Sequence, residues 1–296
     1  MTRISPWIEA MRLRTLPVSV AGVLAGAAMA VAYGKFSLCV AIACFVFAVL
    51  AQIASNFANE YYDFVGGLDR RGREGPRRGV TEGDITPRAM IIATFATLAV
   101  ACCVGLYIAF VGGWWLIAVG IAVAIGVFAY SAGPYPLSHH ALGEVAVLVF
   151  FGIVPVNFTF YVMADQMEWP VFAVSIAIGL MGANVLIVNN YRDHNDDKSV
   201  GKRTLAVALG RKAAAALYLI NGLVAAAILA AVFLLWKDGQ ASLWFLAIPA
   251  VYVVAHLRIF LMLISRDGAR LNPLLGMTSV LMFAVALAMV VAIAIA

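Results

Sequence analysis

The feature that most constrains this chain is a succession of long apolar runs, each close to the length a helix needs to cross a bilayer. A span takes about 20 consecutive apolar residues, within a range of roughly 17 to 25. Read with that ruler, the sequence holds nine runs: Pro17 to Tyr33, Leu38 to Asn56, Ala89 to Phe110, Trp114 to Tyr130, Leu142 to Val162, Pro170 to Val188, Ala213 to Trp236, Leu243 to Ile264 and Leu274 to Ala296. They are continuously apolar and lack the alternation of barrel strands, so helices are the expected spanning form. The second and sixth extend past their apolar limits, to about Tyr62 and Tyr191. Composition agrees, at 64% hydrophobic and only 12% charged, where soluble domains carry about 25% charged residues. This excludes soluble, secreted and disordered classes. The expected fold class is all-α, a polytopic membrane protein of nine transmembrane helices, with residues 1–296 as a single domain.

The basic residues lie in short segments between these runs, which argues against a nucleic-acid partner and orients the chain instead. Counting alternate sides, all of the 20 Lys and Arg except Lys35 and Lys237 fall on one side. By the positive-inside rule the N-terminus and the connecting loops on that side are cytoplasmic, and the C-terminus is not. Trp7, Ile8 and Met11 share one face ahead of Arg12 and Arg14, the pattern of an amphipathic anchoring helix in the cytoplasmic interface. A cleavable signal ending near Ala28-Met29-Ala30 is not expected, because many further spans follow. Cys39, Cys44, Cys102 and Cys103 lie inside apolar runs without zinc or redox spacing and read as small hydrophobes.

Two polar stretches are not required by membrane folding. After span two, Asn59 and Asp63 are four residues apart, with Asn56 and Glu60 bordering the same helical face. After span six, Asn189, Asp193 and Asp197 repeat that step of four. Each stretch is followed by a basic segment and then a new helix, so a weak internal repeat with two facing half-sites is the simplest reading. Solvated loop charges are the bland alternative. Against it, Asn and Asp at helical spacing beside apolar spans are costly if they face lipid, and ionisable groups in such places default to function. Carboxylate and amide oxygens suit Mg²⁺, which is commonly shared between a few carboxylates and substrate phosphates, and arginine forks grip phosphate oxygens. Together these describe a site for a diphosphate, and an isoprenoid diphosphate would also account for the apolar surroundings.

These residues resemble the motifs of the UbiA superfamily of intramembrane prenyltransferases, and within it the 1,4-dihydroxy-2-naphthoate polyprenyltransferase branch. Asn59-Glu60-x-x-Asp63 with Asp69 is similar to the first aspartate-rich motif. Asn189-Asn190-x-Arg192-Asp193-x-x-x-Asp197, followed by Gly201-Lys202-x-Thr204-Leu205, is similar to the second. Arg12-x-x-Thr15-Leu16-Pro17, Ala141-Leu142-Gly143-Glu144 and Val149-Phe150-Phe151-Gly152 resemble the naphthoate branch in particular. The sequence departs from the family in Glu60, where Asp is usual, and in Tyr135 and His140, where relatives often carry Lys and Arg.

The resemblance implies a nine-helix bundle around a central cavity, Mg²⁺ as cofactor and a menaquinone-pathway reaction at a bacterial inner membrane. The expected partners are a polyprenyl diphosphate, an aromatic acid and membrane lipid. In that reading Asn59, Asp63, Asp193 and Asp197 hold Mg²⁺, supported by Glu60, Asp69 and Asn189, while Asp63, Asp193 and Asp197 form the catalytic set. Arg14, Arg77, Arg78, Lys202 and Arg203 grip the diphosphate, and Tyr135, His140 and Glu144 are acceptor-side candidates. Glu144 reads equally as a carboxylate stabilised at a helix start, and His139 and His140 as ordinary loop residues. Asn157 and Asn221 read as hydrogen-bonders between helices. A 4-hydroxybenzoate prenyltransferase is the alternative within the superfamily. A secondary transporter is the alternative of another class, but its coupling residues should lie near mid-bilayer, whereas both stripes here lie at one face.

Overall fold

A computed structural model describes residues 4–69, 71–72, 75–235 and 243–296, and these are helical apart from loops and one bridged pair, His140 with Arg203. Arg3, Arg70, Arg73 and Lys237 of the charge count, and Trp236 of the seventh run, lie outside the described residues. A short α1 (Ile4–Ala10) leads into α2 (Leu16–Ala32) and α3 (Leu38–Val65); after α4 (Gly79–Glu82) come α5 (Pro87–Gly112) and α6 (Leu116–Ala129). The next rod is composite, with α7 (Gly143–Val147), a π-helical turn (Leu148–Ile153) and α8 (Val154–Ala164). Then follow α9 (Trp169–Arg192), the short α10 (His194–Ser199) and α11 (Leu205–Leu209), and finally α12 (Arg211–Leu235), α13 (Ala247–Ser265) and α14 (Asn272–Ala294).

Among the described residues seven helices are long and apolar enough to cross a membrane, and two further apolar helices are shorter, where the sequence predicts nine spans. The short ones are α2, with 17 residues, and α6, with 14. At 1.5 Å per residue they reach about 25 Å and 21 Å, against a hydrocarbon core of about 30 Å. The start of α6 is held back by Gly113, whose φ of +110° breaks the helical path before Trp114 and Trp115. Both polar stretches sit at helix ends, since α3 continues past Asn56 to Val65 and α9 past Val188 to Arg192.

The largest core forms where α2, α8, α9, α12, α13 and α14 meet, and α9 is the most deeply enclosed of the spans. Lipid tails supply no hydrophobic drive between helices, so close approach of backbones has to hold the bundle together. Small residues permit that approach. A Cβ on Gly152 would stand 2.3 Å from the Cα of Gly179, so the π turn and α9 touch backbone to backbone. Gly22 and Gly26 of α2 give the same close contact with Pro155 and Val156. Pro155 cannot donate to the carbonyl four residues before it, and the π turn sits at that point. Asn157, expected to bridge helices, instead donates to Ile153 O at 2.8 Å within its own rod. True interhelical bonding comes from Asn184, which donates to Tyr218 O at 3.0 Å and ties α9 to α12.

The leading helix packs more firmly than an interfacial anchor. Trp7 meets Phe57 edge to face, with centroids 5.6 Å apart, and Ala10 is buried with Phe57, Val80, Ile85 and Met90. This contact turns the following segment toward the end of α3, with Arg12 in the left-handed region at φ +54°.

Candidate active site

The first half-site is built on the last turns of α3. Asn59 and Asp63 face the same way, and Asn59 Nδ2 donates to Asp63 Oδ2 at 3.2 Å and to Ser131 Oγ at 2.8 Å. The Asn59 oxygen accepts from two arginines, Arg12 through Nη2 and Arg78 through Nη2, the latter at 3.2 Å. Glu60 accepts from Val80 N at 3.0 Å and lies 3.9 Å from Arg78 Nη1, while Asp69 lies 3.4 Å from Arg78 Nε. Arg78 thus sits among Asn59, Glu60 and Asp69, and its Nε and Nη1 form no hydrogen bond with the described residues.

The second half-site forms where α9 passes into α10. Asp193 ends one helix and starts the next, and its carbonyl accepts from Asp197 N at 2.8 Å, which preserves the step of four across the junction. Arg192 grips Asp193 with two bonds, Nε to Oδ1 at 2.7 Å and Nη2 to Oδ2 at 2.8 Å. It also donates to Asn189 Oδ1 at 2.8 Å and to Asn272 Oδ1 at 3.0 Å, so α14 shares in fixing the motif.

Two loops join the halves. The segment after α6 and the segment after α10 are bridged at His140 and Arg203, where Ala141 N donates to Arg203 O at 2.9 Å. That pairing sets Lys202 Nζ 3.1 Å from Asp63 Oδ2 and His139 Nε2 3.6 Å from Asp63 Oδ1. A cavity of about 520 Å³ lies between the halves, lined by Asn59, Glu60, Asn189, Asp193 and Asp197, with Arg12, Arg14, Arg77, Arg78 and Lys202 around them. It adjoins a second, apolar cavity of about 380 Å³, and Gln52, Ser55, Tyr130, Val147 and Phe151 line both. Phe47, Phe150 and Phe158 also wall the apolar cavity.

The structure therefore brings together most of the residues singled out by sequence, with particular exceptions. Asp63 and Asp193 are each 1% exposed and ion-paired, whereas their helix-end positions predict solvated carboxylates. The reason is tertiary, because the bridged loops and α14 close over them. Asp63 does not itself line the cavity, being covered by Asn59, Lys202 and His139. Asp69 lies behind Arg78. Arg77 is half exposed at the rim, paired with Asp84 and 3.9 Å from Glu9. Arg203 contributes its backbone to the loop pairing while its side chain is exposed outside the cavity lining. Tyr135 and His140 also lie outside that lining, stacked on each other with centroids 3.6 Å apart. Glu144 is buried and accepts from Asn190 Nδ2 at 2.8 Å. Arg12, which the sequence places only in the Arg12-x-x-Thr15-Leu16-Pro17 motif behind the anchoring face, bonds to Asn59 and lines the cavity. Nothing in the sequence marks Ser131 or Asn272.

The donor set suits a hard cation. Among the described residues Asp63 Oδ1 is buried without a hydrogen bond, and amide and carboxylate residues of both halves line the cavity. Among the described residues no three acidic, histidine or cysteine side chains converge to form a complete cage. This fits Mg²⁺, which takes one or two carboxylates and fills its remaining positions with water and phosphate oxygens.

The fold and site define a class, a helical integral membrane protein whose paired acid and amide stripes face a cationic cavity opening onto an apolar one. Residues 19–287 match the UbiA prenyltransferase family, and the chain belongs to it. It is 34% identical to the 1,4-dihydroxy-2-naphthoate octaprenyltransferase of Mycobacterium tuberculosis, over 99% of this chain and 98% of that one. It is 37% identical to the Escherichia coli protein of the same name, over 71% of this chain and 70% of that one. Among solved structures its fold resembles the apo UbiA homolog from Aeropyrum pernix, with a TM-score of 0.68 at 19% identity over 100% of this chain and 99% of that one. It also resembles the UbiA homolog from Archaeoglobus fulgidus bound to DMAPP and Mg²⁺, with a TM-score of 0.63 at 20% identity over 94% of this chain and 98% of that one.

Proposed function

We propose that this chain transfers a polyprenyl group from a polyprenyl diphosphate to 1,4-dihydroxy-2-naphthoate, with loss of diphosphate and CO₂, in menaquinone biosynthesis. The observation that carries the reading is the meeting of the two stripes, distant in sequence, at one cationic cavity that continues into an apolar one. The names of the relatives support the acceptor. In this reading the charged cavity holds the diphosphate and the acceptor, and the apolar cavity takes the first part of the prenyl chain. Asn59, Asp63, Asp193 and Asp197 would hold Mg²⁺, with Glu60, Asp69 and Asn189 in support. When bound, Mg²⁺ supplies Lewis-acid stabilisation of the charge that develops on the departing diphosphate.

The protein's own cations share that task. Arg12, Arg14, Arg78 and Lys202 all line the charged cavity. Donors already placed where negative charge accumulates need no reorganisation as the allylic C–O bond breaks. Lys202 pairs with Asp63 at 3.1 Å and lines the cavity, so its ammonium can serve both that carboxylate and a bound diphosphate. Tyr130 and Phe151, where the cavities join, exclude water and present π faces to an allylic cation. The orientation follows the basic bias, with the site on the cytoplasmic side of a bacterial inner membrane.

The test is product analysis by mass spectrometry after incubating membranes that contain the protein with Mg²⁺, a polyprenyl diphosphate and competing aromatic acids. A prenylated, decarboxylated naphthoquinol is the expected product. Prenylation of 4-hydroxybenzoate with none of the naphthoate overturns the reading.

A further inference from the structure

We infer that Glu144 is a positioning residue that fixes the polarity of the Asn190 amide, so that Asn190 presents its carbonyl oxygen to the cavity and reads a hydroxyl of the aromatic acceptor. The inference rests on the acceptor reading above. Its starting point is one bond, Asn190 Nδ2 to Glu144 Oε1 at 2.8 Å, between two buried side chains. A carboxylate only accepts hydrogen bonds, whereas an amide has one end that donates and one that accepts. Turning the Asn190 amide over would set two acceptors against each other, so Glu144 allows a single orientation.

Asn190 lines the cavity, and its Oδ1 takes no hydrogen bond from the described residues. The free oxygen is therefore an acceptor offered to a ligand. Its position suits an aromatic ring. Leu186 lies one turn earlier on α9, Val147 lies on α7, and both line the same cavity, while Asp193 is three residues further on. Asn190 thus stands between the acidic end and the apolar passage. A lone carbonyl oxygen there favours an O–H donor and disfavours the ring carboxylate or a phosphate oxygen.

A helix-start position favours negative charge at this place, but it gives no reason to bury the second carboxylate oxygen. Glu144 Oε2 is buried with no hydrogen-bond partner, an arrangement that costs free energy in a low-dielectric bundle. A glutamine would fill the same volume without a carboxylate to bury, but its amide can either donate or accept, so it would leave Asn190 free to turn. What the carboxylate contributes is the enforced polarity of its neighbour.

The experiment measures KM and kcat for the acceptor separately from KM for the prenyl diphosphate. The acceptors are 1,4-dihydroxy-2-naphthoate, 1-hydroxy-2-naphthoate and 4-hydroxy-2-naphthoate. For the native chain, one monohydroxy analogue should be strongly disfavoured, since a site built around a substrate hydroxyl rejects the analogue that lacks it. Glu144→Gln should raise acceptor KM about tenfold, leave the prenyl diphosphate KM unchanged and abolish most of that preference. The effects of removing the hydroxyl and of changing Glu144 should then fail to multiply, as expected when both act on one contact. The double variant Glu144→Gln with Asn190→Asp should restore the preference, because the introduced glutamine can donate to one oxygen of the new carboxylate and leave the other facing the cavity. If Glu144→Gln fails to accumulate in membranes, Asn190→Ser, which keeps a donor toward Glu144, should lose the preference instead. A preference that survives these changes, equal effects on both KM values, or a double variant no better than Glu144→Gln overturns this inference alone. A native chain that binds the prenyl diphosphate but prenylates none of the naphthoates overturns the acceptor reading and this inference with it.

Discussion

Replacing Asp63 and Asp193 by Asn, singly and together, separates what the two carboxylates do for stability from what they do for transfer. Arg192 holds Asp193 through bonds of 2.7 and 2.8 Å, and its side chain is 2% exposed. Breaking a buried pair by removing one partner costs about 3–5 kcal/mol. The asparagine introduced by Asp193→Asn would keep one accepting oxygen, and Arg192 would keep its bonds to Asn189 and Asn272, which puts this variant at the low end, about 3 kcal/mol. Lys202, the partner of Asp63, has a side chain 15% exposed and lines the cavity. Its ammonium can rehydrate there, so Asp63→Asn should cost only about 1 kcal/mol.

Thermal unfolding in detergent, followed by tryptophan fluorescence, should therefore rank Asp193→Asn well below Asp63→Asn. At about 2 °C per kcal/mol for a large domain, the gap is roughly 4 °C. Transfer behaves differently. Each single variant should lose at least about a hundredfold at saturating Mg²⁺, the scale of removing one electrostatic stabiliser. The double variant should lose little more than the worse single one, because residues acting as a unit are strongly non-additive. Equal unfolding midpoints would refute the buried-pair reasoning. Near-normal turnover by either single variant, with correctly inserted protein, would refute the shared site.

Three further predictions concern the bundle and its rim. Gly152→Ala would place a methyl 2.3 Å from the Gly179 backbone, so it should separate the π turn from α9, cost about 1–3 kcal/mol and lower the unfolding midpoint by several degrees. Arg78→Ala removes a buried guanidinium set among Asn59, Glu60 and Asp69 and should lower both stability and transfer, the latter at least about tenfold, whereas Arg77→Ala, at the half-exposed rim, should stay within about 1 kcal/mol of the native chain in stability. A reporter fused after Ala296 should be active only outside the cytoplasm, and activity confined to the cytoplasm would overturn the orientation drawn from the basic residues.

Single helices and their spacing are legible in the residues alone. Apolar run lengths mark the rods, because hydrophobic thickness and rise per residue are local quantities. A step of four puts Asn59 with Asp63, and Asn189 with Asp193, on one helical face wherever the rest of the chain goes. Tertiary structure decided who meets whom across the bundle. Lys202 covers Asp63 because two loops pair at His140 and Arg203, and Arg192 is steadied by Asn272 because α14 begins beside the end of α9. Arg12 enters the site because packing of Trp7 on Phe57 turns the leading segment inward. The same logic separates Arg78, inside the site, from Arg77 at its rim, adjacent in sequence and alike in chemistry. A side chain's charge is written in its residue type, but burial and partner depend on contacts between segments far apart in the chain, and those exist only once the helices have packed.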